Sequence, residues 1–154
     1  MKNAIVIAVL SVLGSSALAQ IQELQGLIPA GKSYLQLAGH TKDNKKCTVN
    51  LFLASYSYSA ALAVLDENGN VDSRRFGTFQ LGMGHEIQKI EQQGDSITAI
   101  SLHEAEESYG SDSRSTLRVN KSGDNINAVQ IVVEEKGLFG FKTKTNETCA
   151  INKN

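Results

Sequence analysis

Two cysteines constrain this chain more than any other feature. Cys47 opens the alternating stretch Cys47-Thr48-Val49-Asn50-Leu51-Phe52-Leu53, and Cys149 stands close to the C-terminus. If the two are bonded, nearly everything after residue 47 lies inside one covalent loop. On the chain-entropy account, closing a loop of about 100 residues stabilises a fold by up to about 4.7 kcal/mol. No Cys-x-x-Cys pair or Cys/His cluster accompanies either residue, so a disulfide is expected and a metal site is not.

An oxidising compartment fits the N-terminus. Lys2 supplies a positive start, Ala4 to Leu13 is apolar apart from Ser11, and Ala17-Leu18-Ala19 is a small-x-small cleavage pattern. Residues 1–19 therefore read as a cleaved secretory signal, too short in its apolar part to span a bilayer. The expected location is exported, periplasmic or extracellular. About 135 residues remain, a usual size for one domain. Losing Lys2 and no acid leaves the mature chain slightly more acidic than the −1 of the whole sequence. Such a balance gives no reason to seek nucleic acid. No later apolar run reaches spanning length, and a monomer is expected.

Residues 20–32 form a lead-in that Pro29 and Gly31 make a poor helix. Residues 33–154 then read as one β-domain. Runs with period-2 alternation recur at short spacing, broken by turn residues such as Asn68-Gly69, a type I′ hairpin signal, and Gly82-Met83-Gly84. His85 to Gln92 fits helix or strand, and strand is preferred because turn signals bound it. Leu51, Leu53, Leu62, Val64, Phe79, Ile100, Leu102, Leu117, Val119, Val129, Ile131, Val133, Phe139 and Phe141 are expected to point inward, with Phe76 as a further anchor. The fold class is all-β: a single antiparallel meander, closed as an up-and-down barrel of about eight strands, which would leave no exposed edge. A β-sandwich is the alternative.

No constellation commits the chain to a chemistry. Asp66, Asn68, Asn70 and Asp72 alternate as calcium ligands do, but the glycine is misplaced and no glutamate closes the set, so a solvated hairpin tip is expected. His40, His85 and His103 are spread over three elements, with Glu104 and Glu106 nearby in sequence. There is no Gly-x-Ser-x-Gly elbow in the mature chain, no HExxH and no phosphate-cradling glycine loop. No catalytic residue, metal or cofactor is expected. The unusual local sequence is Ser55-Tyr56-Ser57-Tyr58-Ser59. Tyrosine offers an apolar body with a polar tip, which suits contact with a partner. Tyr56, Tyr58 and Tyr109 are therefore the candidate binding surface.

A signal, one barrel and a bond from an early strand to the tail resemble, in outline, small calycin-type barrels and bacterial periplasmic barrel inhibitors. The likeness implies architecture, which many functions share. The expected function is a non-enzymatic binding protein that meets a protein partner through loops at one barrel end. The alternatives are a carrier with a small hydrophobic ligand in an interior cavity, and a hydrolase in which at least two of His40, His85, His103, Glu104 and Glu106 converge in one pocket.

Overall fold

The computed structural model describes residues 17–55, 57–105 and 110–152. Helix α1 (Ala17–Gln25) precedes nine strands: β1 (Tyr34–His40), β2 (Lys46–Ala54), β3 (Ser57–Leu65), β4 (Val71–Leu81), β5 (His85–Gln93), β6 (Ser96–His103), β7 (Ser113–Ser122), β8 (Asn125–Gly137) and β9 (Gly140–Ile151). They form one antiparallel sheet in the order β4-β3-β2-β1-β9-β8-β7-β6-β5. Every sequential pair is joined except β4 and β5, and β1 joins β9. The all-β meander is as expected. The closed barrel is not, because the ladder stays open along one seam, between β4 and β5.

Local backbone explains that seam. Gly82 and His85 exchange two backbone hydrogen bonds of 3.0 and 3.1 Å, and no ladder follows. Met83 (φ 52°) and Gly84 (φ 86°) give the turn the positive φ at both central residues that a type I′ hairpin requires. Gly82 itself has φ 78°, so β4 leaves the extended conformation as it reaches the turn. β4 then packs across β8 and β9 instead of running beside β5. Gly77 permits the crossing: a Cβ there would lie 3.1 Å from Ile131 and 3.3 Å from Thr145. The hydroxyl of Thr145 donates to the carbonyl of Phe76 at 3.1 Å.

The type I′ signal read at Asn68-Gly69 is corrected. Only Gly69 has positive φ there, and Asp66 organises the loop by accepting from the backbone N–H groups of Asn68 and Asn70. Those bonds lower the Asp66 pKa, the Asn70 N–H contributing most. The Asp72 carboxylate serves a separate turn, accepting from the Arg74 N–H. The two carboxylates of the alternating set are thus spent on backbone N–H groups.

The lead-in is also corrected. Residues 17–25 are helical, built from good helix formers, with Ile21 and Leu24 on one face and Leu27 and Ile28 in the turn that follows. All four are buried and belong to the same core cluster as Leu51, Leu62, Phe79 and Ile131. The helix packs against β3 and β5, of which β5 borders the seam. Proline and glycine act only after it, at Pro29 and at Gly31 (φ 78°). Full burial of each such side chain is worth about 1.5–3 kcal/mol.

Within the sheet, Leu51, Leu62, Val64, Phe79, Leu117, Val119, Val129 and Ile131 are buried as expected. Ile100 and Leu102 are not on that side. Ile97 pairs with Val119 and Ala99 with Leu117, so the odd positions of β6 share the inner face. Phe139 is 93% exposed and Phe76 41% exposed, which removes both from the core.

Cys47 and Cys149 are bonded, as expected, with Cα atoms 5.9 Å apart. β1 lies between their strands in the sheet, and two strand spacings would be about 9.6 Å. The last strand therefore leans inward over β1. A disulfide suits an oxidising, exported location. Among the described residues no helix is long and apolar enough to cross a membrane.

Candidate functional site

The sequence candidates separate. Tyr56 and Tyr109 lie outside the described residues. Tyr58 faces the core between Leu53 and Leu81, with no exposed surface. It is not part of a surface, and the alternation that pairs it with Tyr56 is the same alternation that turns it inward. Burial pushes its hydroxyl pKa up, and among the described residues that hydroxyl has no hydrogen-bond partner.

The histidines meet in part. His85 and His103 are direct cross-strand partners with stacked rings, centroids 4.6 Å apart and planes at 24°. His103 Nδ1 lies 3.1 Å from the Gly84 carbonyl. A carbonyl only accepts, so Nδ1 is the donor in this contact. Burial, and then the neighbouring His103, hold the His85 pKa below the usual histidine range. His40 is elsewhere, with Nδ1 3.1 Å from the Asn152 side-chain oxygen. Asp112, whose pKa is lowered first by Lys136 and then by the Ala105 N–H, is already engaged by both. Glu104 is exposed, and Glu106 lies outside the described residues. Among the described residues no three His, Cys, Asp or Glu side chains gather as a metal site would require.

The basic pair Arg74-Arg75 also has a structural use. Arg75 binds Glu147 through Nε and Nη2 (2.7 and 2.8 Å) and Asp43 through Nη1 and Nη2 (2.7 and 3.0 Å). It ties β4 to β9 and to the β1–β2 turn, and it holds the Asp43 carboxyl well below the usual carboxylate range.

Two clefts stand out among the described residues. The larger, about 620 Å³, lies beside β1 where β9 ends, lined by Leu35, Leu37, Ile126 and Ile151 together with Gln36, Asn125 and Asn127. The smaller, about 400 Å³, lies between the β1–β2 and β3–β4 turns. Neither contains His85 or His103.

The feature that sequence reading missed is the β8–β9 hairpin. Gly137 pairs with Gly140, leaving Leu138 and Phe139 as a two-residue tip, 98% and 93% exposed. Gly140 takes φ 104° to close the turn. Most of the hairpin's charges are paired behind the tip, with Lys142 outside those pairs. Arg114 donates to Glu134 at 2.7 Å and covers the Phe141 ring at 4.6 Å, Lys136 meets Asp112 at 2.8 Å, and Lys144 meets Glu135 at 2.8 Å. Two glycines flanking two large apolar residues were the signal. Phe139 also fits the strand alternation, so the sequence alone does not separate tip from strand.

No protein-family model matches this chain, and it has no match among curated proteins or solved structures.

Proposed function

We propose that this is an exported, non-enzymatic binding protein that engages a protein partner through the tip of the β8–β9 hairpin. The observation that carries this is the near-complete exposure of Leu138 and Phe139 on a two-residue turn. A soluble domain gains nothing from holding two large apolar side chains in water, whereas a partner with an apolar pocket would bury them. Three ion pairs neutralise most of the charge behind the tip, with Lys142 outside them, so the two apolar side chains dominate what a partner would meet. The partner-facing element is then the turn between two long strands of the open nine-stranded sheet.

A carrier role has less support. The inner face is filled by sheet side chains and by four residues of the N-terminal segment. The larger cleft is open and mixed in lining.

The test is capture from the native envelope or host extract by the mature protein, with the Leu138→Ser/Phe139→Ser variant in parallel. A protein identified by mass spectrometry that the wild type retains and the variant loses supports the proposal. Equal retention by both, or co-purification of a small molecule alone, sinks it.

A further inference from the structure

A second surface lies on the outer face of β1–β4. The register places Tyr34 opposite Phe52 and, two strands further on, Gln80 on the same rung. The next rung carries Gln36 and Asn50. From the Tyr34–Phe52 rung to that of Phe76, this face holds no Lys, Arg, Asp or Glu. Three aromatic side chains stand on it half-exposed: Tyr34 at 40%, Phe52 at 47% and Phe76 at 41%. Tyr34 and Phe52 pack with centroids 4.7 Å apart and planes tilted by 41°. The Tyr34 hydroxyl donates to Asn50 Oδ1 at 2.8 Å, which fixes the ring and turns the Asn50 amide NH2 away from it.

We infer that this face binds a neutral polysaccharide along its length. A pyranose ring offers a C–H-rich face that stacks on an aromatic ring and an edge of hydroxyls that pair with amides. Asn and Gln present a donor and an acceptor together and need no charge to be desolvated. The charge-free surface disfavours nucleic acid and anionic lipid, both of which are bound through Lys and Arg. It also lacks the arginine that enriches protein interfaces. A sheet face is open at both ends, so it suits the side of an extended chain rather than its terminus. The site is separate from the β8–β9 hairpin tip in both residues and chemistry.

The test uses the mature full-length domain with insoluble chitin and cellulose, then titration with chitohexaose and cellohexaose followed by NMR. Retention on at least one polysaccharide is expected, with the Tyr34 and Phe52 ring resonances moving as the oligosaccharide is added. Tyr34→Ala and Phe52→Ala should each weaken binding about tenfold, equivalent to about 1.4 kcal/mol. Leu138→Ser/Phe139→Ser should bind sugar as the wild type does. The unmodified protein gives the resonance readout even if a variant folds poorly. No retention on either polysaccharide, retention indifferent to both aromatic substitutions, or concentration-dependent dimerisation through these rings would each overturn the inference.

Discussion

Gly39 leaves no room for a side chain against Ala150: a Cβ on the glycine would run into the Ala150 carbonyl oxygen. The contact sits where the first strand meets the last, at the pairs Gly39–Ile151 and His40–Ala150. Cys47 is the β2 partner of Gly39, and Cys149 adjoins Ala150. The missing side chain and the disulfide therefore act at one place. The glycine lets β9 lean over β1, and that lean brings the two cysteines within bonding distance across an intervening strand.

Gly39→Ala should therefore be among the more damaging single substitutions in the sheet. The obstructing atoms are backbone and cannot rotate away. Overpacking of this kind costs about 1–3 kcal/mol. Urea unfolding should show the loss at unchanged m-value, and thiol titration should show a larger free-thiol fraction after refolding. A variant as stable as the wild type would mean that β9 is not held against Gly39.

Cys47→Ser should lower stability by about 2–5 kcal/mol, the usual cost of losing a native disulfide in a small exported domain. The bond spans 102 residues and encloses eight of the nine strands in whole or in part. Its function is structural, so partner capture should persist at temperatures where the variant remains folded. Melting unchanged from the oxidised wild type would show that the fastening lies elsewhere.

The strands were legible because their period-2 pattern follows from one face being buried, and the disulfide was legible because two cysteines had few other uses. What failed were cases where one local signal served two outcomes. Ile97-Thr98-Ala99-Ile100-Ser101-Leu102 carries apolar residues at both parities, and only pairing with Val119 and Leu117 selects the odd set. Phe139 fits a strand and a turn equally well until Gly137 and Gly140 pair. The helix at Ala17–Gln25 was hidden because residues 1–19 read as a signal to be removed, whereas its buried Ile21 and Leu24 lie beyond the expected cleavage point. The aromatic face escaped notice because Tyr34, Phe52 and Phe76 come from three strands and only the register assembles them.

Tyr58→Phe should stabilise the protein. The ring fills the core, and among the described residues the buried hydroxyl has no partner. An unsatisfied buried polar group costs about 1–3 kcal/mol, and the substitution keeps the shape while removing that group. The melting temperature should rise by a few degrees. A lower melting temperature would require a bound water or polar partner on the hydroxyl and would make Tyr58 part of a network.

Stability should also fall on mild acidification because of His85. Its folded pKa lies below the ordinary value, first through burial and then through His103. The unfolded chain therefore binds the proton more readily than the folded one. Above about pH 6.5, the ordinary histidine value, both states are neutral and the contribution is fully present. As pH drops below that value the unfolded state protonates first and stability declines, until the depressed folded value is passed. The facing groups are His103, stacked on the ring, and beyond it Asp112, which is neutralised by Lys136. Charging both rings would set two cations 4.6 Å apart beside the Gly82–His85 bridge that joins β4 to β5. Melting curves from about pH 7.5 to about pH 5.5 should show a steeper loss for the wild type than for His85→Gln. Parallel curves would remove His85 as the source, whereas a shallower slope in the variant, with earlier amide exchange at Gly82 and His85 in acidified wild type, would place the acid-sensitive point at the seam.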